Sequence, residues 1–231
     1  WRMVECTGEG FMKLDAIECM QKRKSAREFS DKKIPEEVLQ RILEGARFAP
    51  SSKNTQPWKL SLIEGARLCA LRKELCEQFD SGAQSRPDFS QNLQELYRPR
   101  AISLGKSILT YKGITREDKE GRRQHDRANF EFFNAKQILV LSVAKESNET
   151  TLMDLGIFAG YLMLAIENEG LACCPQVSVI NYADSFRKIL PELQEEKIAM
   201  VFPVGYPLEN SHVNNFRSER ENINVWFQKI S

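Results

Sequence analysis

The segment Thr151–Asn168 constrains the fold more than any other. Leu155, Ile157, Phe158, Leu162, Met163, Leu164 and Ile166 occupy nearly every side of a helix. A helix apolar almost all round belongs inside a protein, so other elements must wrap it. Thr151-x-x-Asp154 reads as a capping-box-like start, with Asp where Glu is usual, and Gly170 as the residue that turns the chain out of the helix. The apolar stretch Ile157–Ile166 is about half of the ~20 residues a membrane span requires, so a central buried helix is expected and no membrane partner.

The rest of the chain supplies the wrapping. Leu14–Arg23 reads as a short helix. Pro35 sits where a first helical residue belongs, and Val38, Leu39, Ile42, Leu43 and Ala46 recur at helical spacing over 35–48. Further helical patterns cover 65–79, 100–112, 116–130 and 183–190, the last stopped by Pro191. Strand-like runs lie at 58–63, 138–144 and 197–205. Three strands separated by helices are too few for a doubly wound sheet, so the expected class is α+β, a modest sheet with helices on both sides. Residues 1–11 are set aside as an N-terminal extension, and 12–231 is expected to be a single domain whose polar C-terminal arm begins at about 208. The stretch 80–100 has little periodicity, and excursions of that length are usually functional or mobile.

Composition removes several classes of function. The 231 residues hold 33 Lys and Arg against 32 Asp and Glu, a formal charge of +1, which argues against nucleic acid as the main partner. The six cysteines include no C-x-x-C pair and the two histidines lie far apart, so no zinc site is expected. Acidic residues interrupt the place where the apolar part of a secretory signal would sit, so reduced thiols and a cytoplasmic location are expected. Neither G-x-G-x-x-G nor G-x-x-x-x-G-K-[ST] occurs.

Three polar constellations could carry chemistry. Arg23-Lys24-Ser25-Ala26-Arg27 concentrates cations and a hydroxyl that suit a phosphate group. Its plainer reading is a solvated helix C-terminus whose cations complement the macrodipole. Ala49-Pro50-Ser51-Ser52-Lys53-Asn54-Thr55-Gln56-Pro57-Trp58 crowds hydroxyls and amides into one loop, suited to a polar heteroaromatic ring, or simply to a turn. Asn215-Phe216-Arg217-Ser218-Glu219-Arg220 repeats the cationic theme in the tail, where a solvated segment is the alternative.

R-x-S-x-R followed by A-P-S-S-x-N-x-Q-P-W resembles the FMN-dependent nitroreductase family. Leu162–Pro175 is similar to that family's central helix and G-L-x-x-x-P turn, Val204-Gly205-Tyr206-Pro207 to its closing strand and G-Y-P, and Asn215–Arg220 to its C-terminal N-x-x-R-x-x-R. Tyr111–Asp118 with Arg123, Asn129, Phe132 and Phe133 is similar to the nitrobenzoate-reductase-like branch. Asn134-Ala135-Lys136 departs from the more usual Gly-Ala-Pro, and Met200–Pro203 is bulkier than usual.

The resemblance, over about 14–229, implies a central, mostly antiparallel sheet flanked by helices. It also implies an intertwined homodimer with an exchanged C-terminal tail and FMN at the subunit interface. Arg23, Ser25 and Arg27 would hold the FMN phosphate and ribityl chain, joined by Arg220 and Arg217, with Lys24 at the variable middle position. Pro50, Ser51, Ser52 and Asn54 would lie along the flavin ring, supplied by the other subunit. Pro175, Gln176, Val177 and Ser178 would present backbone N–H groups to flavin N5 and O4.

The implied activity is an NADH- or NADPH-dependent FMN oxidoreductase. It would reduce a nitroaromatic, quinone-like or other electron-poor small molecule by a ping-pong mechanism, with no metal and no catalytic side chain. The alternative is a flavin-binding store, sensor or redox partner without turnover. A nucleic-acid binder built on Arg23–Arg27 is disfavoured by the near-zero net charge.

Overall fold

The structure, a computed structural model, describes residues 15–230. The expected extension at 1–11, and Leu14 at the head of the first helix, lie outside the described residues. Chain order is helix α1 (Ala16–Lys22), α2 (Glu36–Ala46), strand β1 (Lys59–Glu64), α3 (Gly65–Ser81), α4 (Arg98–Tyr111), α5 (Lys119–Phe130), β2 (Gln137–Ala144), α6 (Glu149–Asn168), β3 (Ala172–Cys173), α7 (Ala183–Ile189), β4 (Glu196–Gly205) and α8 (Ile223–Trp226).

The strands form one sheet in the order β1-β2-β4-β3, every neighbour antiparallel. β2 is central and buried on both faces, which explains its unbroken apolar run. Its side chains alternate: Leu139, Leu141 and Val143 join the core under α2 and α6, and Ile138 and Val140 join the core on the α3 and α7 side. Cross-strand pairs Val140–Val201 and Leu139–Phe202 carry both cores into β4. The short strand β3, which the sequence suggested only as a turn, adds the far edge through Ala172–Gly205 and Cys173–Val204.

The termini of α6 differ from expectation at one end. Asn148, not Thr151, is the N-cap: its side chain accepts from Thr151 N at 3.0 Å while Thr151 Oγ1 accepts from the Asn148 N–H at 3.4 Å. At the other end Gly170 (φ 70°) donates to Glu167 O and Leu171 to Ile166 O, the paired bonds of a Schellman ending. Likewise Pro35 is the N-cap of α2 and not its first helical residue.

Nor is α6 buried all round. Leu155, Phe158, Ala159, Leu162 and Ile166 face the core, but Leu152, Met153, Ile157 and Tyr161 are exposed. A Cβ added to Gly156 or Gly160, on that same exposed side, would meet nothing within 4 Å. The whole helix, at 20 residues, is long and apolar enough by length and composition to cross a membrane. Here it packs between α1 and α2 on one side of the sheet.

Just before β2, Phe132, Phe133 and Asn134 take φ values of 52°, 51° and 58° in succession. Side chains adopt that region sparingly, and Phe132 is nonetheless fully buried. Arg72 Nη2 donates to Ala135 O at 2.9 Å and fixes the exit of this turn.

Candidate active site

Helix α1 ends at Arg23, whose N–H returns to Cys19 O at 2.9 Å, and the chain then runs extended along the free edge of β3. Ser25 pairs with Cys173 in a parallel bridge and the Ala26 N–H donates to Cys173 O at 3.1 Å. Extended backbone alternates its side chains, so Arg23, Ser25 and Arg27 share one side while Ala26 is driven fully into the core on the other. That alternation is the physical content of R-x-S-x-R.

The C-terminal segment closes over this edge. Asn214 Oδ1 accepts from the N–H groups of Arg27 (2.7 Å) and Glu28 (3.1 Å), and its Nδ2 donates to Glu28 O at 2.7 Å. Ser211 Oγ donates to Glu28 Oε2 at 2.6 Å and Lys24 Nζ to Asn215 Oδ1 at 3.3 Å. Arg217 is committed to the end of α1, donating to Lys22 O at 2.7 Å and also to Gln21 O.

Between these segments lies a pocket of about 320 Å³. Arg23, Lys24, Arg27, Arg217 and Arg220 line it with the hydroxyls of Ser25 and Ser218, and none of its lining residues is acidic. Leu104 and Ile108 of α4, Met163 of α6, Pro175 and Phe216 make the apolar wall. Glu167 stands near enough for the field of Arg217, Arg23 and Lys24 to act on it; burial pushes its carboxyl above the usual range and those cations pull it back. Burial, reinforced by Arg27, lowers Lys112 at the end of α4, and burial with Lys112 lowers His125 on α5.

The loop holding Pro50, Ser51, Ser52 and Asn54 lies elsewhere on the chain. Its Ser52 N–H donates to Asp154 Oδ1 at 2.9 Å, and Trp58 after it stacks on Phe158 with ring centroids 4.7 Å apart. Asp154 and the pocket residue Met163 are nine residues apart on α6, roughly 13 Å along the axis. A single chain therefore brings together Arg23, Lys24, Ser25, Arg27, Pro175, Arg217 and Arg220 but leaves the 50–54 loop about two and a half turns of α6 away.

The segment 175–178 also divides. Pro175 has no N–H, and Gln176 exchanges both backbone bonds with Val201, its N–H donating at 2.8 Å and its carbonyl accepting at 3.0 Å. Gln176 Nε2 donates to Asn129 O and Oδ1 at 3.1 and 3.2 Å, while its buried Oε1 has no partner among the described residues. Only the N–H groups of Val177 and Ser178 remain for a ligand from this stretch. Sequence reasoning missed Asn214, Leu104, Ile108 and Met163. The i, i+4 pair Leu104 and Ile108 carried a signal, and so did Asn214, since N-x-x-R-x-x-R fits from Asn214 rather than Asn215.

The fold is thus that of an α+β protein with an antiparallel sheet, and at the sheet's edge lies a pocket lined by cations and by apolar side chains. The chain belongs to the nitroreductase family, whose model matches residues 20–206. It is 30% identical over 200 residues to a 4-nitrobenzoate reductase of Pseudomonas putida, covering 86% of this chain and 88% of that one. Among solved structures it resembles the FMN and NADPH-dependent nitroreductase NfnB of sphigopyxis sp. strain HMH, with a TM-score of 0.90, 26% identity and coverage of 94% and 100%. The FMN-dependent NfnB of Mycobacterium smegmatis in complex with NADPH matches with a TM-score of 0.88, 26% identity and coverage of 94% and 98%.

Proposed function

We propose that this chain is an NAD(P)H-dependent FMN oxidoreductase that reduces nitroaromatic or other electron-poor acceptors by a ping-pong mechanism. The observation that carries the reading is the pocket itself. Four arginines, a lysine and two hydroxyls line one pocket together with apolar side chains, a donor set that suits a phosphate monoester carrying a flat ring. The named relatives act on nitro compounds or use FMN with NADPH, which supports the same assignment.

Arg23, Lys24, Ser25, Arg27 and Arg220 would bind the phosphate and its sugar-like chain. Arg217 would contribute from a position fixed by the carbonyls of α1. The N–H groups of Val177 and Ser178 would face the polar edge of the ring, and Leu104, Ile108 and Met163 would exclude water from its flank. FMN, when bound, supplies two-electron transfer between a nicotinamide donor and the acceptor. The cations and N–H donors would stabilise the charge that reduction places on the ring. A single open face of the bound ring would serve donor and acceptor in turn, as ping-pong turnover requires.

We further infer a homodimer with shared sites. Met153, Ile157 and Tyr161 form an exposed apolar stripe at i, i+4 spacing, beside the open flank of Gly156 and Gly160. Two such helices crossing antiparallel at a two-fold axis would set the N-terminal half of one against the C-terminal half of the other. That arrangement delivers the 50–54 loop of each chain to the cationic pocket of its partner. Exposed Val225, Trp226 and Phe227 in the tail supply further apolar surface for the partner. The test is steady-state NADPH oxidation with FMN present and a nitroaromatic carboxylate as acceptor. Parallel double-reciprocal lines are expected. Intersecting lines would reject the ping-pong assignment, and no acceptor-dependent oxidation would reject the enzyme assignment.

A further inference from the structure

The 80–100 excursion is a strap pinned to α7, the turn before it and strand β4 at successive points. The Arg86 N–H donates to Asn181 O at 2.7 Å. Asp88 Oδ2 accepts from Arg187 Nη2 at 2.6 Å and from the Ile198 N–H at 2.8 Å. Both side chains of that ion pair are largely shielded, so it is a firm anchor. Phe89 packs on the core formed under α6. Three residues beyond the anchor, Gln91 Nε2 donates to Val177 O at 2.7 Å.

That last bond acts on the site through the geometry of the peptide unit. In a trans peptide the carbonyl of one residue and the N–H of the next point in opposite directions, and no cis bond occurs among the described residues. The carbonyl of Gln176 is held by the Val201 N–H, which aims the Val177 N–H away from the sheet. The carbonyl of Val177 is held by Gln91, which aims the Ser178 N–H away from the strap. Neither N–H is engaged by a protein acceptor among the described residues. One of the two donors is thus oriented by the sheet, and the other by a single side chain from a loop.

We propose that Gln91 is a positioning residue for flavin reduction: by holding the Val177 carbonyl it fixes the Ser178 N–H toward the polar edge of the bound ring. The inference rests on the FMN reading above. Gln91 does not line the phosphate pocket. Its loss therefore leaves cofactor binding in place and changes the balance between oxidised and reduced states. Without the bond, the 177–178 peptide is free to rotate and the electron-rich state loses a donor.

The experiment uses the FMN-loaded protein and compares wild type with Gln91→Leu and Gln91→Glu. Glu keeps the size of Gln but, ionised, has no proton to donate. The readout is the midpoint potential of the bound flavin against a reference dye, converted to relative affinity for reduced over oxidised FMN. Both variants should lower that ratio by about threefold to tenfold, the worth of one net hydrogen bond. Melting temperature and affinity for oxidised FMN should stay near wild type. If both variants hold the ratio within twofold of wild type, Gln91 does not position the peptide. If Gln91→Glu retains the wild-type ratio while Gln91→Leu loses it, side-chain packing and not donation is responsible, and the proposal fails. A wild-type chain that takes up no FMN would instead reject the flavin reading itself.

Discussion

Asn214 holds the backbone of Arg27 in place from nearly the other end of the chain. Its Oδ1 accepts the Arg27 N–H at 2.7 Å and its amide satisfies both the N–H and the carbonyl of Glu28. The side chain is buried, so the backbone groups it serves have no water to replace it. Asn214→Ala should cost about 1–3 kcal/mol. That corresponds to a fall of roughly 2–12 °C in melting temperature for a chain of this size. FMN affinity should fall with it, because the same backbone carries Arg27, which lines the cationic pocket. A thermal melt with and without FMN checks both.

Arg23 touches the pocket but is not tied into the tail. Arg23→Ala should weaken FMN binding about tenfold to a hundredfold, from loss of charge-assisted bonds to a phosphate, with little change in the apo melting temperature. Fluorescence titration with FMN at moderate salt reads the first quantity. Unchanged affinity would remove Arg23 from the phosphate site.

The exposed stripe of α6 gives a prediction about assembly. Ile157→Glu places a carboxylate at the centre of the Met153–Tyr161 row. Sedimentation should find a dimer for the wild type and a monomer for the variant. The monomer should also lose tight FMN binding, because the 50–54 loop would then have no partner pocket to enter. A monomeric variant that binds FMN as tightly as wild type would contradict the shared site.

Glu74 supplies a pH signature. It is buried on α3 and its carboxyl is held below the ordinary value, chiefly by the Lys188 ammonium at 2.7 Å and further by Gln78 and Ser185 against the opposing effect of burial. A carboxyl lowered on folding stabilises the native state above its unfolded value of about 4.3 and loses that contribution as pH falls through the folded value. Glu74→Gln should therefore be less stable than wild type at neutral pH, and the gap should close in acid. Denaturant unfolding at a series of pH values measures it.

The histidines and paired cysteines should prove dispensable for chemistry. Cys173 and Cys174 are buried, and burial pushes both thiols up, far from a reactive thiolate. His125 is half-buried on α5 within the field of Lys112, and His212 stacks on Tyr111 with ring centroids 4.3 Å apart, neither lining the cationic pocket. Alanine at any of the four should leave kcat within about tenfold, less than a general acid or base contributes. A collapse in any one would identify a side chain that handles protons.

Elements with long repeated patterns were legible. The periodicity of 35–48 and the apolar run at 138–144 became α2 and β2 nearly as read, because burial on one or both faces leaves a regular imprint. Strand β3 was not legible: two residues carry no period, and only pairing with Gly205 and Val204 makes them a strand. The true cap of α6 escaped because Asn148 precedes the apolar pattern by a full turn. The exposure of Met153, Ile157 and Tyr161 could not be read either, since an interface and a core leave the same apolar residues. Within the site, the cations stood out by composition. Asn214 can be placed by the N-x-x-R-x-x-R pattern, but its role cannot, because it depends on a contact 187 residues away.

The pocket of Arg23, Ser25, Arg27 and Arg220 is proposed to hold one FMN that exchanges electrons with a nicotinamide. The most direct measurement is an anaerobic absorbance titration of the purified, FMN-reconstituted protein with NADPH. The protein should be yellow with about one FMN per subunit, bleached by a stoichiometric amount of donor and restored by a nitroaromatic acceptor. A colourless protein that cannot be reconstituted, or a flavin that neither donor nor acceptor alters, would contradict it.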